Sequence, residues 1–131
     1  MTTPPANLAF TKLVVHDLDL VVPFYEEVCG LRRVQRVQAE IAGEPIDEII
    51  CTSESGASLI FLQWVGRAAA SPDTEVIIGI TTSDIAACFE RATAAGGRVR
   101  EAPAANAAAG GMKVGFLEDP EGHLVEVVET A

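Results

Sequence analysis

The sequence predicts an α+β fold of two successive βαβββ modules, whose curved mixed sheets pair around a shared cleft. Three observations carry this. One strand–helix unit occurs twice: Leu13-Val14-Val15-His16-Asp17-Leu18 runs to Gly30 through a helical pattern, and Ile80-Thr81-Thr82-Ser83-Asp84-Ile85 runs to Gly97 the same way. A constant offset superposes Asp17 on Asp84, Leu18 on Ile85, Val22 on Phe89 and Gly30 on Gly97. Each unit is then followed by short apolar runs separated by turn residues, the mark of strands.

Taken in order, residues 1–7 are polar and Pro-rich and are expected as a disordered tail without the features of a secretory leader. A strand is expected over Leu8–Val15. Asp17 or Asp19 then caps a helix, its carboxylate accepting from the first free amides. Leu18, Val21, Val22, Tyr25, Val28 and Cys29 form a single apolar stripe, and Gly30 supplies a left-handed C-cap. Pro23 would cost a bond deep inside a helix, so the start is expected near Leu20. Strands follow near Leu31–Gln38, Ile46–Thr52 and Ala57–Val65, with turns at Gly43 and Ser53-Glu54-Ser55-Gly56. Residues 66–74 read as a linker.

The second module has a strand at Glu75–Thr82 and a helix with the stripe Ile85, Cys88, Phe89 and Ala92, ending at Gly96-Gly97. A short strand at Arg98–Arg100 precedes an Ala- and Gly-rich stretch, Pro103–Gly111, expected as a flexible loop over or beside the cleft. Met112–Leu117 and His123–Glu129 are the last strands, joined by the turn Asp119-Pro120-Glu121-Gly122. The modules thus occupy residues 8–65 and 75–130 of one domain, 8–131.

Composition narrows the function classes. The net charge of −10 repels phosphate backbones, which argues against nucleic acid and leaves cationic ligands favoured. No apolar run is long enough for a membrane-spanning helix. Three cysteines, Cys29, Cys51 and Cys88, lie in apolar patterns without CxxC or Cys/His spacing. They read as small buried hydrophobes in a reducing cytoplasm.

The elements Val15-His16-Asp17-Leu18, Phe24-Tyr25 and Gly30-Leu31, together with Phe116-Leu117-Glu118-Asp119-Pro120-Glu121-Gly122-His123-Leu124-Val125-Glu126, resemble the vicinal oxygen chelate superfamily. That superfamily includes glyoxalase I, bleomycin resistance proteins, fosfomycin resistance enzymes and extradiol dioxygenases. The resemblance implies the two-module fold and a homodimer, which would also cover exposed sheet edges. It further implies four metal-ligand positions. These fall on Phe10, on Phe61 (Ile60 if the register slips by one), on Ile77 (or Ile78) and on Glu126. Only Glu126 offers a lone pair suited to a divalent ion. No metal and no other cofactor is therefore expected.

Strand alternation places Leu13 and Val15 toward the helix and Phe10, Lys12 and Val14 toward the cavity. Phe61 and Gln63 share a face, with Trp64 on the other. Leu124, Glu126 and Val128 share a face opposite His123, which, like His16, reads as a capping or surface residue. Phe10, Lys12, Phe61, Gln63 and Glu126 are the expected ligand-binding residues. Glu126 is also the candidate general acid or base, because apolar surroundings favour a neutral carboxyl. A Lys12–Glu126 ion pair would mask that role. Three functions stay open: a metal-independent binder of a small apolar or cationic molecule, as in the bleomycin-resistance branch; a metal-free lyase or isomerase using Glu126; and, only if two strand registers are wrong, a metal-dependent glyoxalase or dioxygenase.

Overall fold

A computed structural model describes residues 5–131. The expected tail lies outside the described residues up to residue 4, and residues 5–7 are exposed without regular structure. The elements are β1 (Thr11–Val14), α1 (Leu18–Cys29), β2 (Arg32–Ile41), β3 (Glu44–Thr52) and β4 (Ser58–Trp64), then β5 (Ile77–Thr82), α2 (Ile85–Ala94), β6 (Arg98–Ala105), β7 (Lys113–Glu118) and β8 (Leu124–Glu129). They form two four-stranded sheets, ordered β1-β4-β3-β2 and β5-β8-β7-β6. In each sheet the first strand pairs in parallel with the last, and the other pairs are antiparallel. This is the βαβββ module twice.

Local chemistry sets the boundaries. The Asp17 carboxylate accepts from the amides of Asp19 and Leu20 at 3.1 and 3.2 Å, so α1 begins at Leu18 rather than near Leu20. Pro23 is accommodated inside the helix because it lies on the exposed face, where water can satisfy the carbonyl that it deprives of an amide. Gly30 ends the helix at φ 66°, with its amide donating to the Glu26 carbonyl at 3.1 Å. The expected loop at Pro103–Gly111 is largely ordered. Residues 103–105 extend β6, and Asn106 caps a single 3₁₀ turn before Gly110 and Gly111 reverse the chain toward β7.

Both sheets turn their helix-bearing faces into one core that includes Leu13, Val15, Tyr25, Phe61, Ile80, Phe89, Leu117 and Val125. Cys51 and Cys88 are buried in it and Cys29 is half-buried. Burial pushes the Cys29 and Cys51 thiols up to about 11, which keeps them protonated and unreactive. Phe24 crosses from α1 to the second module, where a Cβ built on Gly97 would sit 2.6 Å from its ring and 2.9 Å from the Glu118 carbonyl. Glycine is required there by space rather than by backbone angle.

The turn between β7 and β8 fastens the two halves. Asp119, almost wholly buried, accepts from the Tyr25 hydroxyl at 2.9 Å, from His123 Nδ1 at 2.8 Å, and from the amides of Glu121, Gly122 and His123 at 2.9–3.0 Å. His123 Nε2 lies 2.9 Å from the Val14 carbonyl on β1. Glu121 accepts from the amides of His16 and Asp17 at the β1–α1 junction. His123 is therefore a buried strut between modules, not the surface or capping residue expected. Two acceptors, one on each ring nitrogen, call for the doubly protonated ring.

Candidate functional site

The face of each sheet opposite the helices is where a ligand can reach side chains, and strand pairing decides what stands on it. Parallel pairing sets Leu13 opposite Phe61, Lys12 opposite Ile60 and Val14 opposite Leu62. Leu13 and Phe61 point into the core. Phe61 is fully buried, its ring 5.1 Å from that of Tyr25. The expectation that Phe61 lines the cavity is corrected: Ile60 takes the outward face, and Gln63, two residues after Phe61, leaves it as well. Trp64 shares the face of Lys12.

On that outer face of the first sheet, Lys12 Nζ is 3.0 Å from Glu48 Oε2 on β3 and 5.9 Å from the ring centre of Phe10. Phe10, just before β1, is 53 % exposed. Glu48, which the sequence reading missed, thus replaces Glu126 as the partner of Lys12. The only sequence signal for it was a carboxylate in step with Ile46 and Ile50, beside a second carboxylate at Asp47.

Glu126 stands on the second sheet, half-buried on β8, with Gly79 beside it on β5 and Phe116 on β7. The glycine leaves one flank of the carboxylate open, and Ile77, on the same face, is 51 % exposed. Among the described residues Glu126 has no hydrogen-bond or ion-pair partner. Of the five expected site residues, the structure brings only Phe10 and Lys12 together.

A cavity of about 410 Å³ lies beside β1, between Lys12, Val14 and His123 on one side and the 66–73 segment on the other. Trp64 lines it with Arg67 stacked over its ring at 3.9 Å. The amide of Ala70 donates to His16 Nε2 at 2.9 Å and ties the segment down. Its cations are already paired, Lys12 with Glu48 and Arg67 with Glu44. What remains for a ligand is a largely apolar wall with Asp73 at its side.

The donor set does not fit a divalent ion. Phe10, Ile60 and Ile77 have no lone pairs, and among the described residues no group of three His, Cys, Asp or Glu is close enough to hold one. His123 is committed to Asp119 and Val14. Burial works against its charge, but the Asp119 hydrogen bond and carboxylate outweigh that and raise its pKa above the usual value. Burial likewise works against the Asp119 charge, and His123 still draws that carboxyl below its usual range.

A family model described as Glyoxalase/Bleomycin resistance protein/Dioxygenase superfamily matches residues 7–127. No curated protein gives a match. Among solved structures, a glyoxalase family protein from Bacillus cereus is 16 % identical with a TM-score of 0.80, over 97 % of this chain and 95 % of its own. TioX from Micromonospora sp. ML1 is 22 % identical with a TM-score of 0.67, over 96 % and 100 %. Glyoxalase I from Zea mays is 18 % identical with a TM-score of 0.71, over 92 % of this chain but only 43 % of its own.

Proposed function

This chain belongs to the glyoxalase/bleomycin resistance protein/dioxygenase superfamily, and we propose that it is a metal-independent member that binds and sequesters a small apolar or cationic molecule. One observation carries the reading: of the four positions where the resemblance to the superfamily implies metal ligands, three hold side chains without lone pairs. The outward faces support it too. Phe10, Val14 and Ile77 are large apolar residues left half-exposed there, in a chain of net charge −10. Exposed apolar surface of this kind favours association. The working unit is accordingly a cytoplasmic homodimer, in which a second copy covers these faces and closes the cleft. Each chain acts as one domain with modules at 8–65 and 75–130.

A second reading is favoured by the unpartnered Glu126 carboxylate. A metal-free lyase or isomerase would use it to take a proton from a bound substrate and return it after the bond rearrangement. Glu126→Gln separates the two, because it keeps the shape and removes the base. Loss of turnover by roughly 10²–10⁴ with unchanged affinity supports catalysis. Loss of affinity by about 1.5–3 kcal/mol supports an anchored cation. Elemental analysis after dialysis is expected to give well under one divalent ion per chain. A stoichiometric ion lost in the Glu126 variant would overturn metal independence and restore the metalloenzyme reading.

A further inference from the structure

The two modules end in hairpin turns of the same backbone geometry and different chemistry. In the turn 53–57, the Ser53 amide donates to the Ala57 carbonyl at 2.9 Å and the Gly56 amide to the Ser53 carbonyl at 3.0 Å. In the turn 119–123, the Asp119 amide donates to the His123 carbonyl at 3.0 Å and the Gly122 amide to the Asp119 carbonyl at 2.9 Å. The paired glycines match as well, at φ 89° and 99°. Ser53, Ser55 and Ala57 therefore stand where Asp119, Glu121 and His123 stand in the second turn.

The second turn reaches across to the other module. His123 meets the Val14 carbonyl on β1, and Glu121 meets the amides that follow β1. Serine and alanine are too short for the reciprocal reach. Among the described residues no hydrogen bond joins the turn 53–57 to β5 or to the residues that follow it, and Ile85 takes its capping carboxylate from Glu129 instead. A cavity of about 480 Å³ is left between this turn and β5. Thr81, which the internal repeat places on Val14, lines it, as do Leu31, Leu59, Ile78 and Ile80. Its size falls within the range of small-molecule sites. It runs along the free edge of β5, where Ile78 and Ile80 come from the core side and Ile77, Gly79 and Thr81 from the face that carries Glu126, while Lys12 and Glu126 themselves do not line it.

The geometry points to this cavity as a second binding site, for a flat one-ring molecule carrying a protonated amine or imidazole. At the position that matches Ala57, the other module carries an imidazole ring that meets a strand carbonyl on the wall of its own cavity. The apolar side chains supply walls for a ring, and the Ser53, Ser55 and Ser58 hydroxyls supply acceptors at the mouth. Among the described residues Glu54 is the only acidic side chain on the lining and no Lys or Arg lines it, so a cation is favoured and an anion repelled.

The test is an NMR titration of the full chain at neutral pH with benzylamine, benzyl alcohol and benzoate, one ring with three charges. Benzylamine is expected to shift the amides of residues 53–59 and 76–81, the alcohol to bind about fivefold more weakly, and benzoate to leave these signals unmoved. Glu54 is exposed, so Glu54→Gln folds and should lower benzylamine affinity to that of the alcohol. Grafting the other turn (Ser53→Asp, Glu54→Pro, Ser55→Glu, Ala57→His) should set an imidazole against β5 and weaken benzylamine binding to or below that of the alcohol. Equal binding of the three probes, full affinity in Glu54→Gln, or shifts confined to residues 10–14 and 124–128 overturns the assignment. Shifts at these residues that follow protein concentration rather than probe also overturn it, since a second copy then covers the cavity.

Discussion

Replacing Asp119 with alanine tests the clamp between the modules at its centre. The carboxylate is 1 % exposed and takes hydrogen bonds from Tyr25, from His123 and from three amides of its own turn. Removing it leaves a buried imidazolium without its counter-charge and a buried phenol without an acceptor. Breaking a buried ion pair from one side costs about 3–5 kcal/mol. At about 3–6 °C per kcal/mol for a chain of this length, Tm should fall by roughly 10–30 °C. Urea denaturation followed by circular dichroism reads the same loss as a lower midpoint. As a control, Arg36→Ala removes an exposed pair with Asp47 and should leave the midpoint nearly unchanged. The pH profile carries a second signature. The pKa of Asp119 is depressed on folding, so its contribution is complete above the unfolded carboxyl value of 3.8 and is lost as pH falls through the folded one. That of His123 is raised, so its contribution is complete below 6.5 and is lost as pH rises through its folded value. Wild-type stability from this pair is therefore greatest between about pH 4 and 6.5, and Asp119→Ala should flatten both limbs. A loss below about 1 kcal/mol, the level of an exposed pair, would refute the argument.

Gly97→Ala places a methyl group against Phe24 and two backbone carbonyls, and should cost about 1–3 kcal/mol in the same denaturation assay, with little effect on ligand binding per folded molecule. Phe61→Ala should cost about 3–5 kcal/mol, as a core deletion does, and leave ligand affinity unchanged; a selective loss of affinity would return Phe61 to the binding site. Glu121→Gln weakens the acceptor for the His16 and Asp17 amides and should lower stability by about 1 kcal/mol, with hydrogen exchange quickening first at those two amides.

The helices were legible because their apolar stripes and capping aspartates are local signals, and Asp17 and Asp84 cap as their spacing implies. The start of α1 was misjudged because one exposed proline weighed more in the sequence than two capping bonds. Strand faces were harder. Leu59-Ile60-Phe61-Leu62 is apolar at every position, so period two is silent there and only the pairing with β1 tells Phe61 from Ile60. Within the candidate site, Lys12 was visible as a cation in an apolar strand, but its partner Glu48 emerges only from the pairing of β4 with both β1 and β3. The bridging role of His123 depends on a backbone carbonyl 109 residues away, which leaves no trace in side-chain spelling.

That separation bears on how the protein is made. The junction between β1 and α1 is completed by Glu121, 105 residues downstream of His16. At about 5–20 residues per second, the ribosome takes roughly 5–20 s to supply it. Through that interval the amino-terminal half holds a capped helix and a sheet but lacks the carboxylate for two of its amides and the imidazole for its first strand. Its final locking waits for the β7–β8 turn that carries Glu121 and His123. Truncations that remove only the β7–β8 hairpin should therefore release a nascent first module that chaperones and proteases recognise, although every residue of that module is intact.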